Sequence, residues 1–70
     1  MSLQLTITAN GRQFTVLAGS TIGDFLRERG FTPGLAVVEH NGQALTPSAP
    51  DRTPLLNGDR LEIVRIVAGG

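Results

Sequence analysis

The chain has seventy residues, six basic against six acidic, with no cysteine and no lysine. That length allows one small domain whose folding buries about 60% of the surface its unfolded chain exposes. The missing thiols exclude disulfides, a thiolate metal site and cysteine chemistry. The balanced charge lacks the basic footprint of a nucleic-acid binder, and no apolar stretch nears the roughly 20 residues needed to cross a bilayer.

The start, Met1-Ser2-Leu3-Gln4, has neither the basic nor the apolar region of a signal peptide, so a cytoplasmic location is expected. Leu3, Leu5 and Ile7 alternate with Gln4, Thr6 and Thr8, the period of a half-buried strand. Asn10-Gly11 then supplies the positive-φ pair of a tight turn, and Phe14 and Val16 alternate with Gln13 and Thr15 to complete a hairpin. After Ala18-Gly19 the period changes. Ile22, Phe25 and Leu26 stand at i, i+3 and i+4 of a helix, with Thr21 as N-cap, Asp24 as capping-box partner and Gly30 as stop. Pro33-Gly34 marks a loop and Leu35 to Glu39 a third strand. A second turn at His40-Asn41-Gly42-Gln43 leads into a short strand around Ala44-Leu45. Pro47, Pro50 and Pro54 leave little room for regular structure between Thr46 and Asn57. Asn57-Gly58-Asp59 then turns into a final strand, Leu61 to Val67.

Hairpin, helix, hairpin, irregular loop and last strand make an α+β chain with a mixed sheet of four to five strands and one main helix covering one face. This is a β-grasp order, with the first and last strands parallel at the sheet centre. Burial of Phe14, Phe25, Leu26 and the strand aliphatics supplies its core. Residues 1–67 form the domain and 68–70 a tail. Ala68, Gly69 and Gly70 extend on the order of 10 Å past the last strand, presenting an unhindered α-carboxylate to another protein's active site. The plain alternative is an ordinary chain end.

In the last strand Leu61, Ile63 and Val67 share one parity, Val64 and Ile66 the other. One face meets the helix. The other is a docking patch in which Val64 or Ile66 contacts a partner, unless a bulge or covering loop buries both sets. Arg60 and Arg65 flank the strand as candidate contacts for acidic groups, or as ordinary solvated cations. His40, the single histidine, has no second histidine or cysteine with which to share a metal or proton, and its expected role is to line the turn. Gly19 and Gly23 do not form a phosphate loop, for which a lysine would be needed.

Three segments carry a resemblance to a known family: Thr21-Ile22-Gly23-Asp24-Phe25-Leu26, Ala36-Val37-Val38-Glu39-His40-Asn41-Gly42, and Asn57-Gly58-Asp59-Arg60-Leu61-Glu62-Ile63-Val64-Arg65 running on to Gly69-Gly70. In that order and spacing they resemble the bacterial sulfur-carrier proteins of the ThiS type, ubiquitin-like proteins of thiamine thiazole synthesis. The chain departs from them after Thr46-Pro47, where Ser48-Ala49-Pro50-Asp51 replaces a basic residue and a tryptophan. The resemblance implies that Gly70 is adenylated and converted to a thiocarboxylate, with the catalytic groups on the partners, so that the carrier is not an enzyme. It names those partners as an adenylating enzyme related to ubiquitin-activating enzymes (ThiF type), which uses ATP, and thiazole synthase (ThiG type) as acceptor. It implies no bound cofactor or metal, and a monomer when free. The small subunit of molybdopterin synthase, carriers serving cysteine or siderophore synthesis, and a β-grasp interaction module with an idle tail are the alternatives.

Overall fold

In the computed structural model, which describes residues 3–66, Asn10 (φ 49°) and Gly11 (φ 79°) reverse the chain between β1 (Gln4–Ala9) and β2 (Arg12–Leu17). A left-handed pair matches the twist of the two strands, which is why Asn-Gly serves there. Leu3 lies just outside β1 and is exposed. Its carbonyl still accepts from Ala18 N–H, but its side chain adds nothing to the core.

The helix, α1 (Ile22–Glu28), has only seven residues, too short to hold itself in water, so its ends and its packing must hold it. Thr21 Oγ1 accepts from Asp24 N–H at 3.0 Å, and Asp24 Oδ2 accepts from Thr21 N–H at 2.9 Å, closing the expected capping box. At the other end Gly30 takes φ 81°, and the Phe31 and Gly30 amides donate to the Leu26 and Arg27 carbonyls. This is a Schellman stop, with Phe31 folded back towards the core. Ile22, Phe25 and Leu26 are buried, as their spacing predicts.

β3 (Ala36–His40) begins one residue later than the sequence suggests and includes His40. The Asn41-Gly42 turn joins it to β4 (Gln43–Ala44), with Leu45 just outside. β5 (Arg60–Arg65) stops short of Ile66, whose amide nonetheless donates to the Leu35 carbonyl and prolongs the ladder. The strands lie in the order β2-β1-β5-β3-β4, with β5 parallel to β1 and antiparallel to β3. The last strand therefore lies in the middle of the sheet, fastened on both sides.

The proline-rich segment is more ordered than its composition suggests. Pro50–Arg52 form a 3-10 turn, the Ile22 amide donates to the Thr53 carbonyl, and the Leu55 amide donates to Ser20. Leu55 closes a core built from Ile7, Val16, Phe25, Leu26, Val38, Leu61 and Ile63. Phe14 is half-buried, not fully buried, and meets Phe25 edge to face with centroids 5.2 Å apart.

Candidate docking face and tail exit

Strand periodicity sends alternate residues of β5 to opposite faces. Leu61 and Ile63 enter the core, while Val64 and Ile66 are 64% and 51% exposed. Among the described residues no bulge or loop covers them. Val64 stands directly opposite Val37, and Ile66 continues the ladder opposite Leu35, both of which are also exposed. The result is a strip of four aliphatic side chains on the face away from the helix, beside the end of β5. Water contact with such a strip is unfavourable, so a covering partner gains what the free domain forgoes.

Beside the strip, Glu39 and Glu62 are cross-strand neighbours and both exposed. Like charges directly opposite oppose pairing, and among the described residues neither carboxylate has an ion-pair partner. The face thus combines apolar surface with two free negative charges.

The two arginines fall on opposite sides. Arg60 shares the parity of Val64 and is exposed on the open face, its amide held by Asn41 Oδ1 at 2.8 Å. Arg65 lies on the helix side, its guanidinium 4.6 Å from the Phe31 ring centre and donating to the Gly30 carbonyl at 3.4 Å. A single partner surface against the open face would meet Arg60, Val64 and Ile66 but not Arg65. Ala68, Gly69 and Gly70 lie outside the described residues.

His40 does line the turn, and it does so as part of a network that sequence reasoning missed. Its Nε2 lies 3.0 Å from Oδ2 of Asp59, a buried carboxylate that also accepts from Leu56 N–H (2.9 Å) and Asn41 Nδ2 (3.0 Å). The closer contact makes Nε2 the donor, since Asn41 Nδ2, at 3.4 Å, offers only another donor. Burial works against ionisation of Asp59, but the three donors outweigh it and hold its pKa below the ordinary carboxylate value. The residues that carry the signal of this network are Asn57-Gly58-Asp59 and Asn41-Gly42, whose turn chemistry is local while the bond between them is not. Among the described residues no three metal-ligating side chains converge, and no helix is long and apolar enough to cross a membrane.

A five-stranded mixed sheet with parallel central strands, a single covering helix and an apolar open face defines a β-grasp protein of the ubiquitin-like class. The ThiS family model matches residues 5–70, and the chain belongs to that family. It is a small sulfur carrier of the thiamine biosynthesis type and not a catalyst. The crystal structure of the thiamine biosynthesis protein ThiS from Geobacter metallireducens superposes with a TM-score of 0.76 at 28% identity, covering 94% of this chain and 100% of that one. A solution structure of a thiamine biosynthesis protein from the same organism gives 0.75 at 28% identity, covering 94% and 88%. No protein of curated function matches the chain.

Proposed function

We propose that this carrier holds its sulfur as a thiocarboxylate on Gly70 and delivers it to thiazole formation. A carboxylate resists nucleophiles. In the adenylating partner, of ThiF type, ATP joins AMP to the Gly70 carboxylate and releases pyrophosphate. A persulfide on a partner then displaces AMP, and cleavage of the new S–S bond by a thiol leaves sulfur on the glycyl carbonyl. Gly70 has no side chain to hinder either attack, and Gly69 suits passage through a narrow channel. The acceptor is thiazole synthase, of ThiG type. Because activation consumes ATP, the cycle belongs in the cytoplasm.

The observation that carries this reading is the placement of β5: anchored between β1 and β3, it ends beside the exposed strip Leu35, Val37, Val64 and Ile66. A rigid body that docks and an end that inserts are separate parts. The family match supports thiamine over molybdopterin as the pathway. The test is intact-protein mass spectrometry of the untagged chain after coexpression with its adenylating enzyme and a sulfur source. A mass gain matching exchange of one oxygen for sulfur, localised to Gly70 and lost when Gly70 is deleted, is expected. An unmodified chain, from an enzyme active on a known carrier, would make the protein an interaction module.

A further inference from the structure

On the helix side, Phe25 of α1 and Arg29 at its C-cap face the hairpin end of β1 and β2, near the end of β5. A cleft of about 230 Å³ opens there, with Phe14, Phe31 and Ile63 among its walls and Asn10, Arg12 and Arg29 also lining it. The Arg12 and Arg29 guanidinium carbons lie 5.8 and 4.8 Å from the centre of the same Phe14 ring. Neither has an ion-pair partner among the described residues, in contrast to Arg27, which pairs with Asp24 and Asp51. A guanidinium that rests on an aromatic face is held in place by the ring and keeps donor edges for a planar anion.

We propose that this cleft is a second docking site, one that takes an acidic, aliphatic-flanked peptide segment of a partner protein. Three features select that occupant. Two unpaired guanidiniums on one ring call for a carboxylate, which they bind in bidentate fashion. The apolar walls favour a carbon stem over a bare ion, which would leave them wet. The volume falls below the roughly 300–1,000 Å³ of ordinary small-molecule pockets, so it admits one or two side chains rather than a nucleotide. The cleft also includes Asn10 and Ile63, at the β5 exit but on the face opposite the aliphatic strip, so a partner that receives the chain end can hold the domain from both sides. The proposal goes beyond the reading of Gly70, and its test involves no sulfur chemistry.

The test is an NMR titration of the full ¹⁵N-labelled chain with acetyl-Leu-Glu-Leu-Glu-amide and, separately, its Gln-for-Glu counterpart. Saturable shifts of the Arg12 and Arg29 Nε–H and Asn10 side-chain signals are expected with the Glu peptide, with binding at least about tenfold weaker for the Gln peptide. The Arg12→Gln/Arg29→Gln variant should lose about tenfold or more, and Arg12→Lys/Arg29→Lys should fall between, keeping charge without the fork. If the double Gln variant does not fold, Arg29→Gln alone must show the weakening. Equal shifts by both peptides, shifts confined to the open face, or no shifts would overturn the proposal. Inorganic phosphate binding as tightly as the Glu peptide would also overturn it, making the cleft a free-anion site.

Discussion

The side chain of Asn10 takes the place of a strand residue for Ile63. Its Oδ1 accepts from the Ile63 amide at 2.7 Å and its Nδ2 donates to the Ile63 carbonyl at 3.1 Å. The Asn10 amide already donates to Leu61, so as β1 turns away into the hairpin its pairing with β5 continues one step through a side chain. Asparagine meets both requirements, tolerating φ 49° and supplying a peptide-like amide. Asn10→Ala should cost about 2–3 kcal/mol, from two lost hydrogen bonds and a strained φ, and should speed amide exchange at Ile63. Unfolding in urea and hydrogen exchange measure the two effects; unchanged Ile63 protection would mean that this clamp does not hold β5.

The open face should be separable from the fold. Val64→Lys places a charge in the aliphatic strip without adding repulsion, since Glu62 lies two residues away on the same face. Stability should change by no more than about 0.5 kcal/mol, as for other exposed sites, while affinity for the proposed adenylating partner falls about ten- to a hundredfold, or ~1.4–2.8 kcal/mol. Calorimetric titration checks the second value and thermal melting the first. A domain that unfolds would make Val64 a structural residue.

Gly23 is a helix residue for which Ala is the wrong improvement. In an open helix the change gains about 1 kcal/mol. Here the added Cβ would overlap the Asp51 carboxylate and stand 3.2 Å from Asp51 Cα, because the 3-10 turn packs directly on α1. Gly23→Ala should therefore destabilise by roughly 1–2 kcal/mol in chemical denaturation. Adding Asp51→Ala should recover part of the loss, the carboxylate clash being removed and the backbone approach remaining.

Asp59 sets an acid limit on stability. Its pKa in the folded chain lies below the ordinary 3.8, so folding favours the ionised form. The stability this group contributes is complete above about pH 5, begins to decline as the unfolded chain takes up protons near 3.8, and is lost once pH falls through the folded value. Asp59→Asn should lower stability at pH 7 by about 1–3 kcal/mol, because an amide cannot accept from Leu56, Asn41 and His40 together. It should also flatten the acid limb. Urea midpoints between pH 7 and pH 3 measure both, and an undiminished slope in the variant would assign the acid sensitivity to other carboxylates.

Local chemistry was legible in the residues themselves. The i, i+3, i+4 spacing of Ile22, Phe25 and Leu26, the Thr21/Asp24 box, and the two Asn-Gly turns act over a few residues, so adjacent letters were enough to locate the helix and both hairpins. The parity of β5 likewise separated Leu61 and Ile63 from Val64 and Ile66. What those letters could not decide was which parity faces the helix, that Val37 stands against Val64, that Arg60 and Arg65 part company, or that Leu55 in a proline-rich loop completes the core. These depend on strands brought together from distant parts of the chain. The Asn10–Ile63 clamp spans 53 positions and the Asn41–Asp59 bond 18, and no periodicity reaches that far. Sequence determined the elements and the chemical character of the carrier; tertiary packing decided which side chains were left over, after the core was filled, to meet another protein.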